Sequence, residues 1–290
     1  MNVLAFGEIL WDIIEGQHHL GGAPFNFAAH CIKCGHQASI VSAVGDDELG
    51  RNAIQQAIKL GANVTHLSTL PDKSTGTVDV FLYNGQPDYT IHENVAFDFI
   101  PAPKISAQEP IDVFYFGSLA QRSPTSQKTL RGMLEEREFN HVFYDINLRK
   151  EFYSREIVEY SLAHGTVFKV NDSEAEIICK LLYSNTLPLE EFTKKIAADF
   201  NIAVIIVTAA EKGCYVFHHN ILTHIQGLKI DVVDAVGAGD SFSDAFMSVY
   251  TSKGNPLEAA AIANKVGAFV ATQRGAIPQY SKEIEAIARS

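Results

Sequence analysis

The sequence predicts an α/β fold, and three observations carry that prediction. Short apolar runs bounded by turn residues fall at 3–9, 113–117, 141–146, 166–170 and 203–208, the pattern of strands buried on both faces. Longer segments with helical spacing lie between them, as in βαβ units around a parallel sheet. The helix punctuation is explicit: Asp46 is placed to cap a helix over 47–60 with Gly61 as its stop. Ser123 followed by Pro124 sets a cap and a first-turn proline before 125–138.

One region breaks the alternation. Segments 77–83 and 89–92 flank Asn84-Gly85-Gln86-Pro87 and read as a hairpin whose mixed polarity suits a thin flap exposed on one side. Segments 214–219 and 221–225 read as a second hairpin at a sheet edge. No repeat, low-complexity tract or Pro/Ser-rich linker divides the chain, which predicts a single domain over 1–290 carrying a small flap.

Composition excludes several function classes. Of 290 residues, 47% are hydrophobic and 20% charged, a globular balance that rules out a disordered chain. The net charge of −11 argues against general affinity for nucleic acid or an anionic membrane. The longest clean apolar run, 202–210, is half of the ~18 residues a membrane span needs. Cysteines at 31, 34, 179 and 214 are too few to staple such a chain and read as reduced thiols of a cytoplasmic protein. Cys31-Ile-Lys-Cys34 has no second pair to complete a zinc site and falls in a predicted helix, so it reads as buried small side chains. The pairs His18-His19 and His218-His219 are adjacent residues of strands, which point to opposite faces and do not converge on one ion.

The most informative segment is Asp234-Ala-Val-Gly-Ala-Gly-Asp240, which opens a helical stretch. Small residues let backbone approach a ligand, and N–H groups leading into a helix N-terminus attract a phosphate or developing negative charge. Asp240 beside such an anion site could take the proton of an alcohol attacking a phosphoryl group, or could simply cap the helix. There is no G-x-x-x-x-G-K-[ST], and Gly237-Ala-Gly239 lacks the last glycine of a dinucleotide fingerprint.

The Asp234–Asp240 segment resembles the C-terminal signature of the ribokinase-like, PfkB-type carbohydrate kinases. Upstream, Gly21-Gly22-Ala23-Pro24-Phe25-Asn26 and Val44-Gly45-Asp46-Asp47-Glu48-Leu49-Gly50 resemble that family's sugar-binding region. With Gly7-Glu8-Ile9-Leu10-Trp11-Asp12 the likeness is greatest to the fructokinase branch, and it runs in order from Gly7 to Gly275. It implies a ribokinase-like three-layer α/β/α domain with a small β-sheet lid, formed here by about 11–18 and 77–98.

The same resemblance implies roles. Asp240 would be the general base, with Gly237, Ala238 and Gly239 as the anion hole. Asp12, Gly22 and Asn26 would hold the sugar, since a buried hydroxyl left unpaired is costly. Phe97 stands where the fructokinase branch often has Trp and would wall the sugar or meet the lid. Arg149, in Asp145-Ile-Asn147-Leu-Arg149, offers a planar cation to phosphate or substrate. Asn171, Thr208, Gly213, Gly237, Gly239 and Asn264 would bind ATP. Glu174, in the N-x-x-E element that otherwise reads as a capping box, would organise Mg²⁺ through water. Asp234, the Val236 carbonyl and carbonyls near Gly275 would hold K⁺. Two departures bear on nucleotide and cation contacts: Ala235 replaces a usual Thr or Ser, and Ala210 a usual Gly.

The activity so implied is ATP-dependent phosphorylation of a sugar hydroxyl, D-fructose to fructose 6-phosphate. Ribokinase, 2-keto-3-deoxygluconate kinase and another ketohexose kinase share the chemistry. A catalytically silent sugar or nucleotide sensor is the reading from another class, motivated by Ala210 and Ala235; a nicotinamide oxidoreductase rests on one incomplete glycine motif. An exposed flap edge also fits a homodimer through the lid.

Overall fold

The computed structural model describes residues 1–83 and 86–288, and within 80–88 the backbone alone. The chain starts with β1 (Asn2–Phe6), β2 (Leu10–Ile14) and β3 (Gln17–Gly21), then α1 (Ala23–Lys33), β4 (Gln37–Gly45), α2 (Glu48–Leu60) and β5 (Leu67–Leu70). A hairpin of β6 (Gly76–Tyr83) and β7 (Gln86–Ile91) precedes β8 (Val113–Phe116), α3 (Pro124–Glu136) and β9 (His141–Asp145). There follow α4 (Arg155–His164), β10 (Val167–Asn171), α5 (Asp172–Tyr183), α6 (Leu189–Phe200), β11 (Val204–Thr208), β12 (Gly213–His218) and β13 (Ile221–Gln226). Three helices close the chain: α7 (Ala238–Lys253), α8 (Pro256–Ala271) and α9 (Lys282–Ala288).

Among the described residues the strands form two sheets. The larger has nine, in the order β13-β12-β11-β10-β9-β8-β1-β4-β5, parallel except for the β12–β13 hairpin at its edge. Its strand residues alternate between two cores. Val3, Ala5, Val113, Tyr115 and Phe143 join α1, α2, α7, α8 and α9 on one face. Leu4, Phe6, Phe114, Phe116 and Tyr144 join α3, α4, α5 and α6 on the other. This is the three-layer α/β/α arrangement, and burial on both faces is why these strands read as unbroken apolar runs.

The smaller sheet has four strands, β3-β2-β6-β7, with β2 and β6 parallel and both edges antiparallel. It takes in residues 10–14, 17–21, 76–83 and 86–91, whereas 96–99 leave the sheet for a 3₁₀ turn packed on the core. The Asn84-Gly85 turn lies outside the described residues. The sheet springs from the carboxyl end of β1, where Gly7 at φ 142° ends the strand at Phe6 rather than Ile9. A Cβ on Gly7 would lie 2.6 Å from the Pro24 ring, so the turn requires glycine.

Two helix starts differ from the sequence reading. Asp47, not Asp46, caps α2: its carboxylate accepts the Gly50 N–H at 2.7 Å and both the N–H and hydroxyl of Thr75, while Asp46 pairs with Arg51 on the surface. Three donors converge on one carboxylate, two of them from Thr75, 28 positions away, and they outweigh a one-residue difference in spacing. Ser123 leaves α3 without a side-chain cap because its hydroxyl donates to the Asp98 carbonyl, and the helix ends at Glu136. The four cysteines are buried thiols, and Cys34 donates to the buried Asp244 at 3.0 Å.

Candidate active site

The cleft lies at the carboxyl ends of the parallel strands, where α/β sheets place their ligands. Gly237 is the N-cap of α7, at φ 79°, and a Cβ there would lie 2.2 Å from the Ala276 carbonyl oxygen. Only glycine brings the loop this close, and it aims the first turn of α7, Ala238-Gly239-Asp240, at the cleft with the positive end of the helix leading. Asp240 itself is buried.

The sugar-side residues arrive from the other end of the chain. Gly22, at φ 107°, precedes α1 so closely over β2's approach that a Cβ would lie 2.4 Å from the Glu8 carbonyl oxygen. One turn into α1, Asn26 donates its Nδ2–H to Asp240 Oδ2 at 2.9 Å, joining residues 214 positions apart. A Cβ on Gly21 would lie 2.8 Å from Asp12 Oδ2, which sets Asp12 over the same glycine pair.

Electrostatics tie these groups together. Burial pushes Asp240 up to about 6, with Asp145 adding to the rise and Asn26, Lys169 and Arg149 opposing it. Burial likewise raises Asp12 to about 6, against Arg149 and His19. Arg149 therefore serves both carboxylates from the loop after β9, braced by hydrogen bonds to the Leu148 carbonyl and Asn147 Oδ1. The Phe97 ring is fully buried and meets the lid, packed against Gly76 of β6 and under the Arg122 guanidinium at the root of the small sheet.

On the other side of the Gly237–Gly239 loop lies a cavity of about 350 Å³ whose lining includes Thr208, Gly213, Ala235, Gly239, Phe242 and Asn264. Its small and apolar walls suit a planar base. Ala210 lines it at φ 45°, in left-handed backbone that glycine adopts without strain. Asn264 donates weakly to the Ile225 carbonyl at 3.4 Å. Asn171 sits at the end of β10, opposite Thr208 in register.

Asn171 and Glu174 form the reciprocal capping box: Asn171 Oδ1 accepts the Glu174 N–H at 2.8 Å, and Glu174 Oε2 the Asn171 N–H at 2.9 Å. Glu174 Oε1 accepts the Leu148 N–H, so each oxygen keeps a lone pair, enough for metal-bound water. Asp234 is held by the Val236 and Gly275 N–H groups at 3.0 and 2.9 Å, which brings together the three residues assigned to a monovalent cation. No group of three His, Cys, Asp or Glu side chains capable of holding a metal occurs among the described residues. One carboxylate with backbone oxygens is the donor set that remains, and it suits hard, partly hydrated cations.

Sequence reasoning missed three buried charged groups. Glu8 is buried beside Gly22, and burial pushes it up to about 7. Asp145 and Lys169 form a buried ion pair at 2.8 Å just below Gly239. Each stands as a lone charge in or at the end of an apolar run, the signal that would have found them, because a charge buried in a strand needs a partner.

The geometry, two distant glycine motifs converging on one buried carboxylate, defines a phosphotransferase of the ribokinase-like fold. The chain belongs to the pfkB family of carbohydrate kinases, whose family model matches residues 4–283. It is similar to the probable fructokinase-3 of Arabidopsis thaliana, 26% identical over 98% of this chain and 90% of that one. It is similar also to the fructokinase of Solanum tuberosum, 26% identical over 98% and 94%. Among solved structures, a double mutant of the fructokinase of Vibrio cholerae O395 with fructose, ADP and potassium ion bound superposes with a TM-score of 0.82, at 24% identity over 95% and 94% of the chains. The aminoimidazole riboside kinase of Salmonella enterica, complexed with aminoimidazole riboside and an ATP analog, gives 0.80 at 21% identity over 99% and 100%. No helix among the described residues is long and apolar enough to cross a membrane.

Proposed function

We propose that the protein phosphorylates D-fructose at its 6-hydroxyl with ATP, with Asp240 as general base. The observation that carries this reading is the Asn26–Asp240 hydrogen bond at 2.9 Å, which sets the base within the sugar-side residues and at the mouth of the anion loop. Asp12, Gly22 and Asn26 then bind the sugar and Arg149 faces its anionic partner. Thr208, Gly213 and Asn264 hold the base of ATP, and Asn171 reaches its phosphates. The named relatives support fructose over ribose.

In the reaction the fructose hydroxyl oxygen attacks the γ-phosphorus, the bond to the ADP oxygen breaks, and the hydroxyl proton passes to Asp240. The amides of Ala238, Gly239 and Asp240 meet the charge that spreads over the phosphoryl oxygens. Mg²⁺ held through water at Glu174, with K⁺ at Asp234, Val236 and Gly275, would supply positive charge to the phosphates and to this loop. The small sheet acts as a lid that excludes water, the competing acceptor.

The test is ADP release with ATP, Mg²⁺ and K⁺ against D-fructose, D-ribose, 2-keto-3-deoxygluconate, tagatose and adenosine, with Asp240→Asn as control. Turnover greatest on fructose and lower by about 10²–10⁴ in the control is expected. Turnover greatest on another acceptor would replace fructose, and an active Asp240→Asn enzyme would remove the base.

A further inference from the structure

Under the catalytic loop lies a closed set of charges that the reaction does not itself consume. Asp145 ends β9 and faces Lys169 of β10 in direct register. The Lys169 ammonium donates to both Asp145 oxygens, at 3.0 and 2.8 Å. Two hydroxyls complete the carboxylate: Ser243 of α7 donates at 2.9 Å and Tyr115 of β8 at 3.2 Å. Asp145 is 1% exposed and Lys169 6%, so water screens neither.

The ammonium lies near enough to the base for its charge to act on it. A Cβ on Gly239 would lie 3.5 Å from Lys169 Nζ, directly below the residue that precedes Asp240. A buried lysine this near a buried carboxylate would ordinarily pair with it, and an ion-paired Asp240 would be a poor proton acceptor. Asp145 takes the ammonium instead. The arrangement costs the fold two desolvated charges, a cost that an uncharged pair of the same size would not carry.

We propose that Asp145 is a positioning residue that holds the Lys169 ammonium away from Asp240, so that the base keeps the proton affinity its task requires. The inference rests on the reading of Asp240 as base. The other groups that act on Asp240 are the Asn26 amide, Arg149, Tyr115 and Glu8. Glu8 and Tyr115 are protonated or half-protonated near neutrality, because burial pushes both upward. The Asp145–Lys169 ion pair thus acts on the base from beneath, while Arg149 acts from the cleft.

The experiment compares the pH dependence of kcat/KM for fructose in wild type, Asp145→Asn and Asp145→Asn with Lys169→Met. In the single variant the freed ammonium turns to Asp240, the acid limb falls by about one pH unit, and turnover at neutral pH falls about three- to tenfold because the base is weaker. In the double variant the ammonium is gone, the limb moves back up and at least about threefold of turnover returns. Rescue by removing a second buried group is not what a structural tether would give. An unmoved limb in Asp145→Asn, or a double variant no better than the single, overturns the proposal. Ser243→Ala covers the case in which Asp145→Asn does not fold. Without that hydroxyl the Asp145 charge is less shared and the limb rises by a few tenths of a pH unit, whereas a limb that stays or falls refutes the assignment. An active Asp240→Asn enzyme would mean that the base itself is misassigned. An inactive one, with an unmoved Asp145→Asn limb, defeats only the role given to Asp145.

Discussion

Replacing Asn26 by Ala tests the contact on which the active site is built. The Asn26 amide donates to Asp240 at 2.9 Å between two buried residues, and a hydrogen bond to a charged group of this kind is worth about 1.5–3 kcal/mol. That energy stabilises only the ionised carboxylate, so at 1.36 kcal/mol per unit its loss raises the pKa of Asp240 by about one to two units. Starting from about 6, the base would titrate between about 7 and 8. At pH 7 the ionised fraction would drop from about nine-tenths to between about a half and a tenth. The assay is the pH profile of kcat/KM for fructose, whose acid limb reports the free-enzyme base. Lost sugar contacts would lower the whole profile without moving the limb, so the two effects separate. A limb that stays within about 0.3 units of wild type would refute the claim that Asn26 sets the ionisation of Asp240.

Three further outcomes are expected. Asp244 is fully buried and raised from 3.8 to about 6 by burial, so the fold binds its proton more tightly than the unfolded chain does. No penalty exists well below pH 4, and a cost of about 3 kcal/mol develops between about pH 4 and 7 as the folded-state carboxyl ionises. Asp244→Asn should therefore flatten the fall in Tm expected of wild type between about pH 4 and 7; equal slopes in thermal melts would count against it. Gly237→Ala must place a Cβ 2.2 Å from the Ala276 carbonyl at φ 79°, and should cost about 1–3 kcal/mol and most of the turnover, read by melts and ADP release together. Ala210→Gly relieves a left-handed alanine at φ 45° and should raise stability by up to about 1 kcal/mol in urea titration; a loss of stability would show that the alanine side chain packs usefully against the nucleotide cavity.

Much of the fold was legible because burial on both faces leaves a direct trace. The runs at 113–117, 141–146 and 203–208 became β8, β9 and β11 with small changes of boundary. The edge hairpin was visible in the spacing of β12 and β13, whose turn at His219 and Asn220 takes left-handed backbone. The small sheet was half visible: β6 and β7 read as a hairpin, but Gln17, His18 and His19 of β3 are polar and exposed and carry no periodicity, so the pairing with β2 did not show. The ends of β1 and α2 were set by the Pro24 ring and by Thr75, which sequence spacing does not contain.

By itself the sequence determined the layered α/β class, the glycine turns at Gly22 and Gly237, and the family, because these depend on residue type and order along the chain. Tertiary structure alone decided which charges share a site. Asn26 and Asp240 are 214 positions apart, Asp145 and Lys169 lie on neighbouring strands, and Phe97 was drawn into the core under the sheet root. The physical reason is that a buried charge takes its energy from the groups packed within a few ångströms, and those neighbours are chosen by strand order and helix packing rather than by distance in sequence.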